Sequence, residues 1–298
     1  MENLAIVDTK LGPLAWGHEV DALGGGALQQ HWTYGEIAAL KGRRVRRCEV
    51  LIGSQRIAMA QVIGRGGFWL LGRGPVLAPG VSVRPVLRAL ARALSGALIA
   101  TPEVACEGWG LVPLVTPRHH AIWDLVPDAG TLRAGLAGKW RNRLAVAERS
   151  ALRVEIDRAP DWLIAAEAAQ RRARGYRGLP GDCALTWGRA ETGGLLALKA
   201  TLRGAPIAGM IFLRHGAMAS YHIGWTGPEG RSHHAHNLLL WRAAEILRGQ
   251  GVQSLDLGDV NSEEGAGLMR FKLGTGAVAR ALGATCLVIP GQARLARS

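Results

Sequence analysis

The chain has 298 residues, with 36 Lys and Arg against 23 Asp and Glu, for a formal net charge of +13 at pH 7. That length allows two ordinary domains with a sizeable core, and the charge favours a polyanionic partner such as nucleic acid, nucleotide phosphates or an anionic membrane face. No run reaches the roughly 18 apolar residues that span a bilayer, so any contact with the inner face of a membrane is expected to be peripheral. The four cysteines, Cys48, Cys106, Cys183 and Cys286, stand at no metal-ligand spacing, so zinc and disulfide readings are both weak; no metal and no cofactor are expected. The opening MENLAIVDTKLGPLAWGHEV lacks a basic start followed by an apolar run, which reads as a cytoplasmic protein without a signal peptide.

In chain order, Ile57–Ile63 and Phe68–Gly72 read as two strands joined at Arg65-Gly66-Gly67, followed by a helix over Val83–Leu94 and a strand over Ala97–Ala100. After the turn at Pro127-Asp128 comes a basic helix, Thr131–Ser150, with Arg133, Lys139, Arg141, Arg143 and Arg149 on adjacent turns. Such a run forms either a solvated face or a phosphate-binding one. A further helix starts near Asp161 and ends in Arg171-Arg172-Ala173-Arg174-Gly175-Tyr176-Arg177, where the helix dipole alone favours cations. The strand–turn–strand–helix–strand pattern then recurs about 150 residues after its first copy. Ile207–Leu213 and Met218–Thr226 are joined at His215-Gly216, and a helix over His234–Arg248 and a strand over Ser254–Val260 follow. In that helix Leu239, Ala243, Ile246 and Leu247 form one apolar stripe, and Gly249 and Gly251 end it. A period of this length fits two copies of one domain.

Several residues could carry chemistry. His233, His234 and His236 sit at the start of the second-copy helix with no carboxylate or Cys at metal-ligand spacing, so one of them is expected to cap the helix or meet phosphate. His222, mid-strand beside Tyr221, is either an acid/base or a satisfied core histidine. Asp256 and Asp259 are expected to close a strand end. Lys272, one of five lysines, follows a Gly-containing loop and is the expected catalytic residue.

A strand, a loop at a helix N-terminus, a helix and a strand resemble the core of the GNAT acyltransferase fold, in which that loop holds the pyrophosphate of coenzyme A on its free N–H groups. Here the loop, GRSHHAHN, lacks closely spaced glycines, which argues against coenzyme A. Over nearly its whole length the chain resembles the FemABX family, non-ribosomal peptidyl transferases that carry amino acids from aminoacyl-tRNA to peptidoglycan precursors. The resemblance is carried in order by Gln30-His31-Trp32-Thr33-Tyr34-Gly35-Glu36, by Lys139-Trp140-Arg141-Asn142-Arg143 with Ala147-Glu148-Arg149, by His222-Ile223-Gly224-Trp225, by Asp256-Leu257-Gly258, and by Gly267-Leu268-Met269-Arg270-Phe271-Lys272. It departs at Ile37-Ala38, where the family opening often carries a Lys and the nearest cation is Lys41. It departs again at Thr101 before Pro102, and at Ile223.

The resemblance implies an α/β protein of two tandem GNAT-like domains without a coiled-coil arm, the first over 1–145 with 281–298 folding back onto it, the second over 146–280. It implies aminoacyl transfer from aminoacyl-tRNA to an amine of a peptidoglycan precursor or similar small acceptor. The other reading is an acyl-CoA-dependent N-acyltransferase acting on a sugar, lipid or peptide. Lys272 would be catalytic; Phe271, Arg270, Lys139, Arg141 and Arg143 would bind the donor, with Phe271 stacking on the terminal adenine. Trp32, Lys41, Arg172, Arg174, Tyr176, Tyr221 and His222 would bind the acceptor.

Overall fold

The computed structural model describes residues 2–175, 181–260, 262–291 and 294–295. Tyr176 lies outside the described residues, and only the backbone of Arg174 is described. The chain divides into two compact units, one of residues 1–119 and 280–298, the other His120–Ala279.

In the first unit, β1 (Glu2–Asp8), helices α1 (Pro13–Ala22) and α2 (Trp32–Leu40), and strands β2 (Arg44–Ile52), β3 (Gln55–Arg65), β4 (Phe68–Gly72) and β5 (Val76–Leu77) precede α3 (Val83–Ala93), β6 (Ala97–Thr101) and β7 (Leu111–Val115). Gln30 locks this layer together. Its side chain donates to the carbonyls of Gln61 and Gly72 and accepts from Gln61 N–H, so one buried amide bridges the segment before α2 to β3 and β4. Helix α3 buries Val83, Val86, Leu87 and Leu90 against the sheet and turns Arg84, Arg88 and Arg92 away from those positions at a spacing of four.

The second unit begins with β8 (His119–Asp124), α4 (Ala129–Gly135), α5 (Gly138–Glu148), β9 (Arg153–Ile156), α6 (Asp161–Arg174) and α7 (Asp182–Ala190). A meander follows, β10 (Leu195–Leu202), β11 (Ala205–His215) and β12 (Met218–Thr226). Then come α8 (Pro228–Ser232), α9 (Ala235–Gly249), β13 (Ser254–Asp259), α10 (Ser262–Leu273) and β14 (Val278–Ala281). The strand order is β14-β8-β13-β12-β11-β10-β9. The remaining strands, β15 (Thr285–Val288) and β16 (Arg294–Leu295), return to the first sheet, whose order is β16-β1-β2-β3-β4-β6-β15-β7 with β5 beside β3.

The expected basic helix is two helices. Leu136 is buried, and Ala137 donates its N–H to Gly274 O, so the chain leaves helical geometry between Gly135 and Gly138. The division of the chain also falls at His119/His120 rather than in that helix, so α5 belongs wholly to the second unit. Helix α9 is buried on more than a stripe: Leu238, Leu239, Leu240, Trp241, Ala243, Ala244 and Leu247 are all covered.

One difference separates the repeated halves. In the first unit the parallel pair β4 and β6 stays in register for the whole of both strands, Phe68 opposite Ala97 through Gly72 opposite Thr101. In the second unit the matching parallel pair, β12 and β13, is joined only from Met218/Ser254 to Ser220/Asp256 and then parts. A wedge opens there.

Candidate active site

Two irregularities open the wedge. In the ladder with β11, Phe212 faces Tyr221 and Ile211 faces Ile223, so His222 is the extra residue of a β-bulge. On the other lip, the pairing of β13 with β8 shifts between Asp256 and Asp259. Gly258 there takes a left-handed backbone (φ 81°) that a side chain would strain. Asp256 fixes this second turn by accepting Gly258 N–H at 2.7 Å.

Asp256 does more than close the strand end. Its two carboxylate oxygens each stand 3.1 Å from Nδ1 of His120 on β8, and the pair is mostly buried. The carboxylate thus orients the imidazole by accepting Nδ1–H. Spacing along the chain gave no sign of this pair, because 136 residues separate its members.

Lys272 enters the same place from α10. Its ammonium donates to Asp259 O at 2.7 Å, and the side chain is only 6% exposed. A Cβ on Gly258 would lie 3.5 Å from Nζ, so the glycine turn packs directly on the charge. Burial lowers the Lys272 pKa, and the charges of Asp256 and Asp259 work against that shift. A lysine this covered is held by its surroundings, unlike the solvated surface lysine that composition alone suggests.

The aromatic group beside it sets the position of α10. Trp140 Nε1 donates to Phe271 O at 2.9 Å, and Phe271 lies 6.1 Å from both the Trp140 and the His236 rings. His236 donates from Nε2 to Trp225 O on β12, which ties the start of α9 to the wedge lip. Neither it nor its neighbours cap α9: His234 holds the N-cap position in a left-handed conformation with no side-chain cap.

Not every residue expected at a site is gathered here. Lys139, Arg141 and Arg143 are exposed on α5; burial first, and the charge of Arg143 second, lower the pKa of His234. Arg133 is committed to Glu148 through two contacts of 2.5 and 2.8 Å. Arg270 and Arg172 are exposed. Tyr221 packs against Phe212, and a side chain on Gly224 would collide with its hydroxyl. Trp32 and Lys41 belong to the first unit. There Arg47 stacks on Trp32 with its guanidinium 3.5 Å from the ring centroid and also pairs with Glu36, so the opening motif has a packing role in its own unit.

Two imidazoles in the wedge wall are kept neutral. His222 has a solvent-sealed Nε2 without a hydrogen-bond partner; burial first, and Arg171 second, lower its pKa to about 4. Burial also takes His236 to about 4, against the opposing pull of its bond to Trp225 and with help from Arg231. Between the ordinary value of 6.5 and about 4, the unfolded chain binds protons that the folded rings refuse. Their stabilisation is therefore complete above pH 6.5 and is lost as pH falls towards 4, on the order of 2–3 kcal/mol for each ring. Urea midpoints of wild type and His222→Gln at pH 7 and pH 4.5 check this; the variant should lose less stability on acidification, and equal losses would remove His222 from the account.

Among the described residues no group of His, Cys, Asp or Glu is placed to hold a metal ion, and no helix is long and apolar enough to cross a membrane. Residues 138–273 match the family described as an acetyltransferase (GNAT) domain. Among curated proteins none matches the sequence. Of solved structures, FemX is similar over 93% of this chain and 96% of its own, with a TM-score of 0.75 and 15% identity. A tandem GNAT protein from the clavulanic acid biosynthesis pathway covers 99% and 100% (TM-score 0.54, 14% identity). L-PGS from Bacillus licheniformis covers 92% and 91% (TM-score 0.54, 14% identity). At such identities the likeness is one of fold. The matched domain, with the wedge it contains, makes the second unit a GNAT-type acyltransferase domain. The fold of the whole chain, two units in tandem, is similar to that of FemX.

Proposed function

We propose that this chain moves an aminoacyl group from aminoacyl-tRNA to an amine of a peptidoglycan precursor or a similar small acceptor. The carrying observation is the turn between β12 and α9. Pro228 and Glu229 start a short helix there, as Pro at N1 and an acid in the first turn favour. The N–H groups of Arg231, His233 and His234 are spent on the carbonyls of Gly227, Glu229 and Arg231. Gly230 is no free hinge, since a Cβ there would strike Thr226 and Ile207 O. These three amides are therefore not open to a pyrophosphate. The exposed cations of α5 suit the phosphates of a nucleic acid, and Phe271 supplies an aromatic face near Lys272 for an unpaired base.

The donor is an activated ester, so the reaction needs alignment and charge more than an enzyme nucleophile. The acceptor nitrogen attacks the ester carbonyl, forming the C–N bond; the oxyanion collapses and the C–O bond to the ribose breaks. Lys272 offers positive charge to that oxyanion. His120, held by Asp256, is suited to take the proton the amine loses, while the departing ribose oxygen gains one. An acyl-CoA donor is the second reading, favoured by the acetyltransferase-domain match over 138–273.

Incubation with charged tRNA or with acetyl-CoA, each with an amine acceptor, separates the two. Charged tRNA should lose its amino acid above background and acetyl-CoA should persist. Consumption of acetyl-CoA alone, or its binding at micromolar affinity (about −8 kcal/mol), would overturn the proposal in favour of the second reading.

A further inference from the structure

The first unit carries a surface apart from the residues assigned above to the transfer. Its sheet ends at β7, where Leu111 is buried but Val112, Leu114 and Val115 are exposed, so the strand is bare on both faces. The loop before it holds Trp109 at 77% exposure, with Val104 also exposed. Exposed apolar residues in such a cluster mark an interaction site. The edge is closed to strand addition. Pro113 has no N–H to offer, and the pairing with β15 jumps from Cys286/Pro113 to Thr285/Val115, leaving Leu114 in a bulge. The side chains are therefore open to a partner while the backbone ladder is shut to a second strand.

Cations frame the same loop. Arg84 and Arg88, one turn apart on α3, lie against Gly108 and Gly110, the two neighbours of Trp109. Glu107 is the acid among these residues, beside Cys106 and Arg84. An apolar groove lined by Leu111, Pro113, Leu114, Ala284 and Cys286 runs along the strand. An exposed indole, aliphatic residues and guanidiniums on one surface are the composition of an interfacial anchor.

We propose that this surface docks on an anionic lipid bilayer. Trp109, Val112 and Leu114 enter the boundary between headgroups and acyl chains, and Arg84 and Arg88 meet lipid phosphates. The surplus of +13 supplies the long-range attraction. The inference concerns the first unit alone and stands apart from the choice of acyl donor.

Co-sedimentation of the full chain with vesicles tests it, comparing phosphatidylglycerol mixed into phosphatidylcholine with phosphatidylcholine alone. The wild type should pellet with the anionic vesicles. The double variant Trp109→Ser/Leu114→Ser should partition about tenfold or more weakly at unchanged Tm, since both side chains face solvent. Arg84→Gln/Arg88→Gln should erase most of the preference for anionic lipid. If the wild type stays in solution, or the apolar double variant binds as the wild type does, the anchor is wrong and any binding is a diffuse charge effect. Sedimentation velocity covers the other occupant: a wild-type dimer that the Trp109/Leu114 variant turns into a monomer would make this face a contact between two copies, which also overturns the proposal.

Discussion

Lys272→Met should slow single-turnover aminoacyl transfer by about 100- to 1000-fold, or roughly 3–4 kcal/mol, the usual cost of one preorganised oxyanion partner. The substitution keeps the aliphatic stem, so the hole left behind is small. It does remove a buried hydrogen bond, because Nζ donates to Asp259 O, and it takes the cation from between Asp256 and Asp259. Some loss of stability is therefore expected with the loss of rate, and thermal unfolding beside the kinetics separates them. Lys272→Arg keeps the charge but brings a broad planar head into a space where Gly258 already packs on Nζ, so rescue should be partial. Transfer by folded Lys272→Met at the wild-type rate would remove Lys272 from the chemistry.

The parts of this molecule that were legible from sequence are those set by short-range rules. The bounds of β12, Met218–Thr226, follow from alternation ended by a Gly-Pro turn, and α9, Ala235–Gly249, starts and stops within a residue of the expected His234–Arg248. The tandem GNAT-type organisation was legible too, because the strand–turn–strand–helix–strand order repeats. What could not be read depends on distant contacts. The break at Leu136–Ala137 is made by a carbonyl more than a hundred residues on, Gly274. The His120–Asp256 pair exists because β8 and β13 are neighbours in the sheet. The wedge itself comes from the bulge at His222 and the turn at Gly258, two backbone events that leave no periodic trace. The burial of Lys272 follows from that wedge, so a lysine that looks ordinary in its own segment becomes a held charge.

Trp140→Ala should destabilise the second unit by about 3–5 kcal/mol, the range for removing a large buried aromatic. The ring is 3% exposed and belongs to the core beneath α9. Gly274 makes room for it, as a Cβ there would fall 2.7 Å from Trp140 Cδ1. The indole also gives Phe271 O its hydrogen bond, so the residue just before Lys272 is pinned through its backbone. Trp140→Phe separates the two contributions. It keeps most of the packing and removes the N–H, and should cost about 1–2 kcal/mol for the carbonyl left without its partner. If Trp140 positions Lys272, the Phe variant should lower the rate of the chemical step more than it weakens donor binding. Lys272 would then sit in a less fixed relation to the reacting carbonyl, and a small misplacement is costly in rate. Urea unfolding and single-turnover kinetics on the same preparations decide it. Wild-type kinetics in a Trp140→Phe protein with lowered stability would leave Trp140 as core alone, with α10 held in place by Lys272 and its bond to Asp259.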